Sequence, residues 1–386
     1  MKLTTFAAAV LLISFLLVTV LYANKASTNY LLFVGTYTKG ESKGIYAYRY
    51  DAKSGSLTSL GLAAESVNPS FLAVDPSHRF LYAVNEVQDY KGEKSGAVTA
   101  FAIDRKTGQL SRLNEVASRG EDPCYISLDK TGKYVLVANY TSGNIAVFPV
   151  HNDGTLGEAS AFVQHHGSGP NHEHQEGPHA HWIETTADNH YAVVADLGLD
   201  KLLIYRFDAT NGSLTPNNPP AADLPPGSGP RHVAFSPHNK FAYSVNELKS
   251  TVTAFSFNAG QGTLQPFQTV STLPKDFSGE NDTAEIHIQA DGKFLYASNR
   301  GHDSIAVFSI DQKTGRLNLV NNFSTEGKTP RNFELDPTGS HLLVANEDTG
   351  NIVVIKLDGT TGRESLVTND TVKLPSPVSL RFVPAE

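Results

Sequence analysis

From Asn68 onward the chain repeats one pattern: a small residue or Pro, a short apolar run, a polar turn, a second apolar run, then Asn or Asp. The copies are Asn68–Glu86, Asp122–Tyr140, Gly177–Leu197, Gly229–Glu247, Asp282–Arg300 and Thr329–Glu347, with starts 47 to 55 residues apart. A truncated copy, Ser376–Pro384, closes the chain. In the first copy the pattern predicts strands at Ser70–Val74 and Phe80–Val84, joined by the turn-forming link Asp75-Pro-Ser-His-Arg79. A third apolar run follows each copy, as in Ala97–Ile103 or Ser304–Ile310. A turn such as Lys313-Thr-Gly-Arg316 comes next, and a fourth run begins near Leu110 or Leu317. Four strands in about 50 residues make a propeller blade.

Six copies and a fragment predict seven blades, because the chain ends complete one another. Leu31–Tyr37 reads as a second strand, and Gly44–Tyr50 and Leu57–Leu62 as a third and fourth. Val378–Val383 supplies the missing first. The expected fold is therefore an all-β, seven-bladed β-propeller of four-stranded blades. Pairing the N-terminal and C-terminal strands closes the ring and hides two edges.

Residues 1–26 lie outside this pattern. Lys2 precedes an apolar stretch from Leu3 to Tyr22 and a small-residue end, Ala23-Asn-Lys-Ala26. That order reads as a secretory signal peptide, with an uncleaved membrane anchor as the alternative. Residues 27–386 form a single domain working outside the cytoplasm, periplasmic or secreted. It meets a membrane only if the first segment is retained. The formal charge of −8 argues against nucleic acid, which requires a basic face. The single cysteine, Cys124, stands in an apolar run and reads as a core residue. Six of the fourteen histidines crowd into Gln164–His181, without a recurrent ligand spacing, so no functional metal is expected. The Asp-x-x-Thr-Gly segments, such as Asp311–Gly315, read as tight turns and not as calcium loops.

A fixed register locates the candidate chemistry. The first strand of a blade leaves one face of the disc and the second returns to it. The Asn or Asp ending strand two lies 15 residues after a marker at the start of strand one: Ser70/Asn85, Cys124/Asn139, His181/Asp196, Arg231/Asn246, Ala284/Asn299 and Arg331/Asn346. The marker carries His181, Arg231 and Arg331, and the next position carries His232 and Glu285. Glu86, Tyr140, Glu247, Arg300 and Glu347 follow strand two, and His179 precedes His181 by two residues. Ionisable groups of both signs converging on one mouth are costly unless used.

The strings Phe33-Val-Gly-Thr-Tyr-Thr38, Gln175-Glu-Gly-Pro-His-Ala-His181, Asp196-Leu-Gly-Leu-Asp200, Gly229-Pro-Arg-His232, Tyr243-Ser-Val-Asn-Glu247 and Ser298-Asn-Arg300 resemble the bacterial lactonase family of seven-bladed propellers. That family includes propeller-type 6-phosphogluconolactonase and, more distantly, carboxy-cis,cis-muconate cyclase. The likeness spans Tyr30 to Pro384. It implies a catalytic set of His181, with His179 as the alternative histidine, Arg231, Glu247 and Arg300; the register adds His179, His232, Glu285 and Arg331 as substrate-binding residues. His174 departs from the pattern, since related lactonases often carry Arg there.

The implied function is lactone hydrolysis of the 6-phosphogluconolactonase type, on a small anionic lactone, by a monomer without metal or organic cofactor. Arg231 and Arg300 would steady the oxyanion, and Glu247 or His181 would act as general base and then acid. In one assignment Glu247 is the base and His181 the acid toward the leaving oxygen. A muconate-type cycloisomerase and a non-enzymatic binding module are the competing readings.

Overall fold

The computed structural model describes residues 29–367 and 371–386, so the expected leader, 1–26, lies outside the described residues. Seven antiparallel sheets stand around one axis. Blade 2 is typical, with strands Leu72–Val74, Phe80–Asn85, Ala97–Ile103 and Leu110–Ala117 running from axis to rim. Blades 3 to 7 begin with innermost strands Pro123–Leu128, Ala180–Thr185, Pro230–Phe235, Asp282–Ile288 and Pro330–Leu335. Blade 1 takes its innermost strand, Pro377–Pro384, from the other end of the chain. That strand pairs with Asn29–Thr36, with Leu31 opposite Val383 and Gly35 opposite Ser379, as the pattern predicts.

Local chemistry builds each blade. Between strands one and two an Asp folds its side chain onto the turn it opens: Asp129 Oδ1 accepts from the Lys133 and Tyr134 amides, and Asp336 Oδ1 from Ser340 and His341. Asp311 Oδ1 accepts from the Lys313 and Thr314 amides and the Thr314 hydroxyl, so its turn satisfies itself internally. The glycine of these outer turns has a second task. Phe80, Tyr134, Tyr191, Phe241 and Phe294 each open strand two of one blade and press on a glycine of the next. A Cβ on Gly154, Gly212, Gly262, Gly315 or Gly362 would come within 2.3 to 2.5 Å of those rings. Only a residue without a side chain lets adjacent blades approach so closely.

A β-bulge at the top of the innermost strands positions the site. The ladder skips Cys124 in blade 3, His181 in blade 4, Arg231 in blade 5 and Arg331 in blade 7. One residue further on, a ring of buried side chains crosses the axis: Phe71, Tyr125, Trp182, His232, Glu285, Asn332 and Ser379. His232 of blade 5 meets Tyr125 of blade 3 at 5.0 Å and Phe71 of blade 2 at 5.7 Å between ring centres. Contacts between blades that are not neighbours mean the channel is plugged at this level.

The closing strand is part of the core, since Leu380 is fully buried. Leu380→Ala should therefore cost about 2–5 kcal/mol, the range for buried Leu truncation. Urea unfolding measures it, and a cost below about 1 kcal/mol would show that the strand is peripheral.

Candidate functional site

At the plug, the Glu285 and Asn332 side chains begin a chain of contacts leading up to the mouth. The Leu380 amide donates to Asn332 Oδ1 at 3.0 Å, and Asn332 Nδ2 donates to Glu285 Oε2 at 2.6 Å. Glu285 Oε1 lies 2.8 Å from His232 Nδ1. The His232 Nε2 atom lies 3.2 Å from Arg231 Nη1, which also donates to the Ala284 carbonyl at 2.8 Å. These contacts fix the tautomer: Nδ1–H faces the carboxylate and Nε2 accepts from the guanidinium. Burial, only partly offset by Glu285, pushes His232 down to about 4. Burial opposes the ionised Glu285, yet His232 holds it below the usual carboxylate range.

Above this layer Arg231 and Arg300 share one carboxylate. Glu247 Oε2 lies 2.7 Å from Arg231 Nε and 3.1 Å from Arg300 Nη2. Glu247 opens a 3₁₀ turn, Glu247–Lys249, directly after strand two of blade 5. Burial would raise its pKa, but Arg300, Arg231 and Arg331 outweigh that and keep it ionised. Burial lowers Arg231 to about 10, which leaves it charged at neutral pH. Arg331 makes a long ion pair with Glu347, 4.0 Å, and covers the Tyr37 ring at 5.3 Å from its centre.

His181 stands beside this group, 5.2 Å from the His232 ring and 5.6 Å from Tyr140. Burial, then Arg231, His232 and Arg331, drive its pKa well below the usual imidazole range. The imidazolium that the acid role requires is therefore absent at neutral pH. His179 stacks on Tyr140 at 4.5 Å; its Nδ1 lies 3.0 Å from the Tyr140 carbonyl and its Nε2 3.2 Å from Glu176.

The structure thus gathers all eight predicted residues at one end of the channel, in two layers. Arg231, Glu247, Arg300, Arg331, His181 and His179 form the mouth. His232 and Glu285 lie beneath, buried and with their polar atoms engaged. The His-rich loop contributes little to the mouth. His165 turns inward onto Asp196 at 2.6 Å, while His166, His172 and His174 are exposed. Cys124 is buried, and burial raises its thiol. A cavity of about 620 Å³ lies between blades 1 and 2, lined by Thr38, Asn85, Tyr90 and Arg112 among others, and none of the eight residues reaches it. On the far side of the plug a cavity of about 290 Å³ is bounded by Tyr125, Trp182, Glu184, Glu285, His287 and Arg381.

Two contributors escape the sequence reading. Asn332 occupies the same position as His232 and Glu285 but looks like an ordinary polar residue. Tyr37 follows strand two of blade 1, in the place Glu247 takes in blade 5, and donates to Glu86 at 2.9 and 3.0 Å. The register would have found it had the closing blade been counted with the others.

Comparison with known proteins adds three findings. The family model described as "Lactonase, 7-bladed beta-propeller" matches residues 31–382. A Bacillus subtilis protein named 6-phosphogluconolactonase is 42% identical over 311 residues, covering 81% of this chain and 86% of that protein. A Formosa agariphila protein of the same name is 36% identical over 315 residues, 80% of this chain and 87% of the other. Among solved structures, a Pseudomonas aeruginosa periplasmic gluconolactonase superposes with a TM-score of 0.87 at 36% identity, covering 93% of this chain and 100% of its own.

A buried histidine held neutral makes stability depend on pH. The unfolded chain takes up a proton near pH 6.5 that folded His232 refuses until about pH 4. The contribution of this one group is therefore complete above pH 6.5 and falls on acidification, by on the order of 3 kcal/mol by pH 4. Urea unfolding at pH 7 and 4.5 should show that loss, and His232→Asn should flatten it. An unchanged slope in the variant would contradict the assignment.

Proposed function

The chain belongs to the seven-bladed β-propeller lactonase family, and from that membership we propose that it hydrolyses a small anionic lactone of the sugar-lactone type. One observation carries the proposal. Arg231, Arg300 and Arg331 converge on a single ionised Glu247, while Arg300 Nε and His181 Nδ1 are buried without a hydrogen-bond partner among the described residues. Buried polar atoms left open in this way are sites a ligand completes.

Ring opening follows from the charges. Both arginines lie within ion-pair distance of Glu247 Oε2, which leaves Oε1 to take a proton from water. The water oxygen bonds to the lactone carbonyl carbon, and the negative charge moving onto the carbonyl oxygen is met by guanidinium N–H groups. As the intermediate collapses, the bond from that carbon to the ring oxygen breaks. Glu247 returns its proton to the departing alkoxide, giving a hydroxyl, and the new carboxylic acid loses its remaining proton to solvent to leave a carboxylate. A carboxylate held below its usual pKa is a weak base, which suffices for an activated ester such as an aldonolactone. His181, neutral, serves as a hydrogen-bonding group or an auxiliary base instead of the acid. His232 and Glu285 hold Arg231 from below. As written, the scheme calls for no metal ion.

The basic start and apolar run of residues 1–26 support placing this reaction outside the cytoplasm. The resemblance to a structure described as periplasmic is in keeping with that.

Glu247→Gln should lower kcat about 10²–10⁴-fold, the usual yield of acid–base assistance. It should also lower the melting temperature, because two arginines lose their shared counter-charge. Arg231→Lys should raise KM and lower kcat together, since Lys lacks the planar fork. Proton release by the purified protein on aldono-, phospho- and carboxy-lactones, followed by pH-stat, is the test. Full activity in both Glu247→Gln and His181→Ala would reject the scheme.

A further inference from the structure

Across the ring from Glu247, blades 1, 2 and 7 hold a second polar group, whose Tyr37 and Glu86 the hydrolytic scheme leaves idle. Tyr37 and Glu86 each follow strand two of their blade, as Glu247 does in blade 5, and both are half-buried. The Tyr37 hydroxyl sits 2.9 and 3.0 Å from the two Glu86 oxygens. Its single hydrogen is thereby used, and its oxygen keeps lone pairs for another donor. Beside it, the Arg331 guanidinium covers the Tyr37 ring and makes a 4.0 Å pair with Glu347. Ser70, the marker residue of blade 2, is buried beside Glu86 and its hydroxyl helps to stabilise that carboxylate.

This pole is rich in acceptors, with one cation reaching over it. Glu86 and Glu347 make it hostile to a phosphate or a carboxylate. It suits neighbouring hydroxyls, each of which donates one hydrogen bond and accepts another. We propose that Tyr37, Glu86 and Arg331 form a hydroxyl-reading subsite that selects polyhydroxylated lactones, with adjacent ring hydroxyls donating to Glu86 and Tyr37 and accepting from Arg331. The reaction it serves rests on the lactonase reading above; the binding does not. The anionic end of the substrate then lies toward Arg300. A site whose buried groups need a partner hydroxyl rejects analogues that lack one.

Two substrates and two variants test the subsite. Glucono-δ-lactone carries the hydroxyls, and δ-valerolactone has the same ring without them. Glu86→Gln and Tyr37→Phe should each lower kcat/KM for gluconolactone about tenfold or more, the cost of a hydrogen bond to a charged group. Each should leave δ-valerolactone within about twofold of the wild type. Equal losses on both lactones, or no loss on either, overturn the proposal. Thermal melts confirm that the variants fold, and Tyr37→Phe keeps the volume should Glu86→Gln fail to fold. Calorimetry with gluconate and 5-hydroxypentanoate separates this proposal from the lactonase reading. If the wild type opens neither lactone, nor any phospho- or carboxy-lactone of the pH-stat screen, yet binds gluconate more tightly, and the variants lose that preference, the subsite stands and the lactonase reading falls. If the wild type binds both acids alike, the subsite is wrong.

Discussion

One extra residue near the start of an innermost strand sets the geometry of the mouth. In a regular strand, side chains alternate between the two faces of the sheet. The bulge breaks that alternation, so two successive residues both turn toward the axis. His181 and Trp182, Arg231 and His232, and Arg331 and Asn332 are such pairs. The first member rises to the mouth and the second joins the plug. Cys124 fills the bulge in blade 3 without charge, which shows that the device belongs to the fold. Three blades load it with cations or imidazole, and there the chemistry resides.

Placing guanidinium groups there has an electrostatic cost, because burial disfavours charge. The structure offsets it by sharing. One carboxylate, Glu247, serves two arginines, and Arg231 is also braced from beneath by a neutral imidazole whose tautomer Glu285 dictates. Asn332 anchors Glu285, and the Leu380 amide anchors Asn332 in turn. The strand that closes the ring is thus continuous, through hydrogen bonds, with the arginine at the mouth. Ring closure and site geometry are one network.

Much of this was legible in the sequence because a repeated fold allows counting. The blade number, the pairing of the two chain ends and the convergence of eight residues all follow from a period and a register. What escaped did so for physical reasons. Tyr37 lies in the blade assembled from both chain ends, where counting along the sequence fails. Asn332 matters through the angle it gives Glu285, which composition cannot express. The neutrality of His181 comes from burial beside Arg231, a property of packing. The glycines of the outer turns, read as turn formers, also admit the aromatic rings of neighbouring blades.

The plug has a consequence for traffic. Phe71, Tyr125, Trp182 and His232 pack against one another across the axis, and Glu285 and Asn332 complete the barrier, so the pore is a well with a floor. Whatever enters at the arginine-lined opening also departs through it. A hydrolysed lactone carries a new carboxylate and meets, on its way out, the same guanidinium groups that oriented the incoming ring. Under the proposed scheme, entry and exit share one charged doorway, and the incoming ring and the outgoing acid compete for the same guanidinium groups.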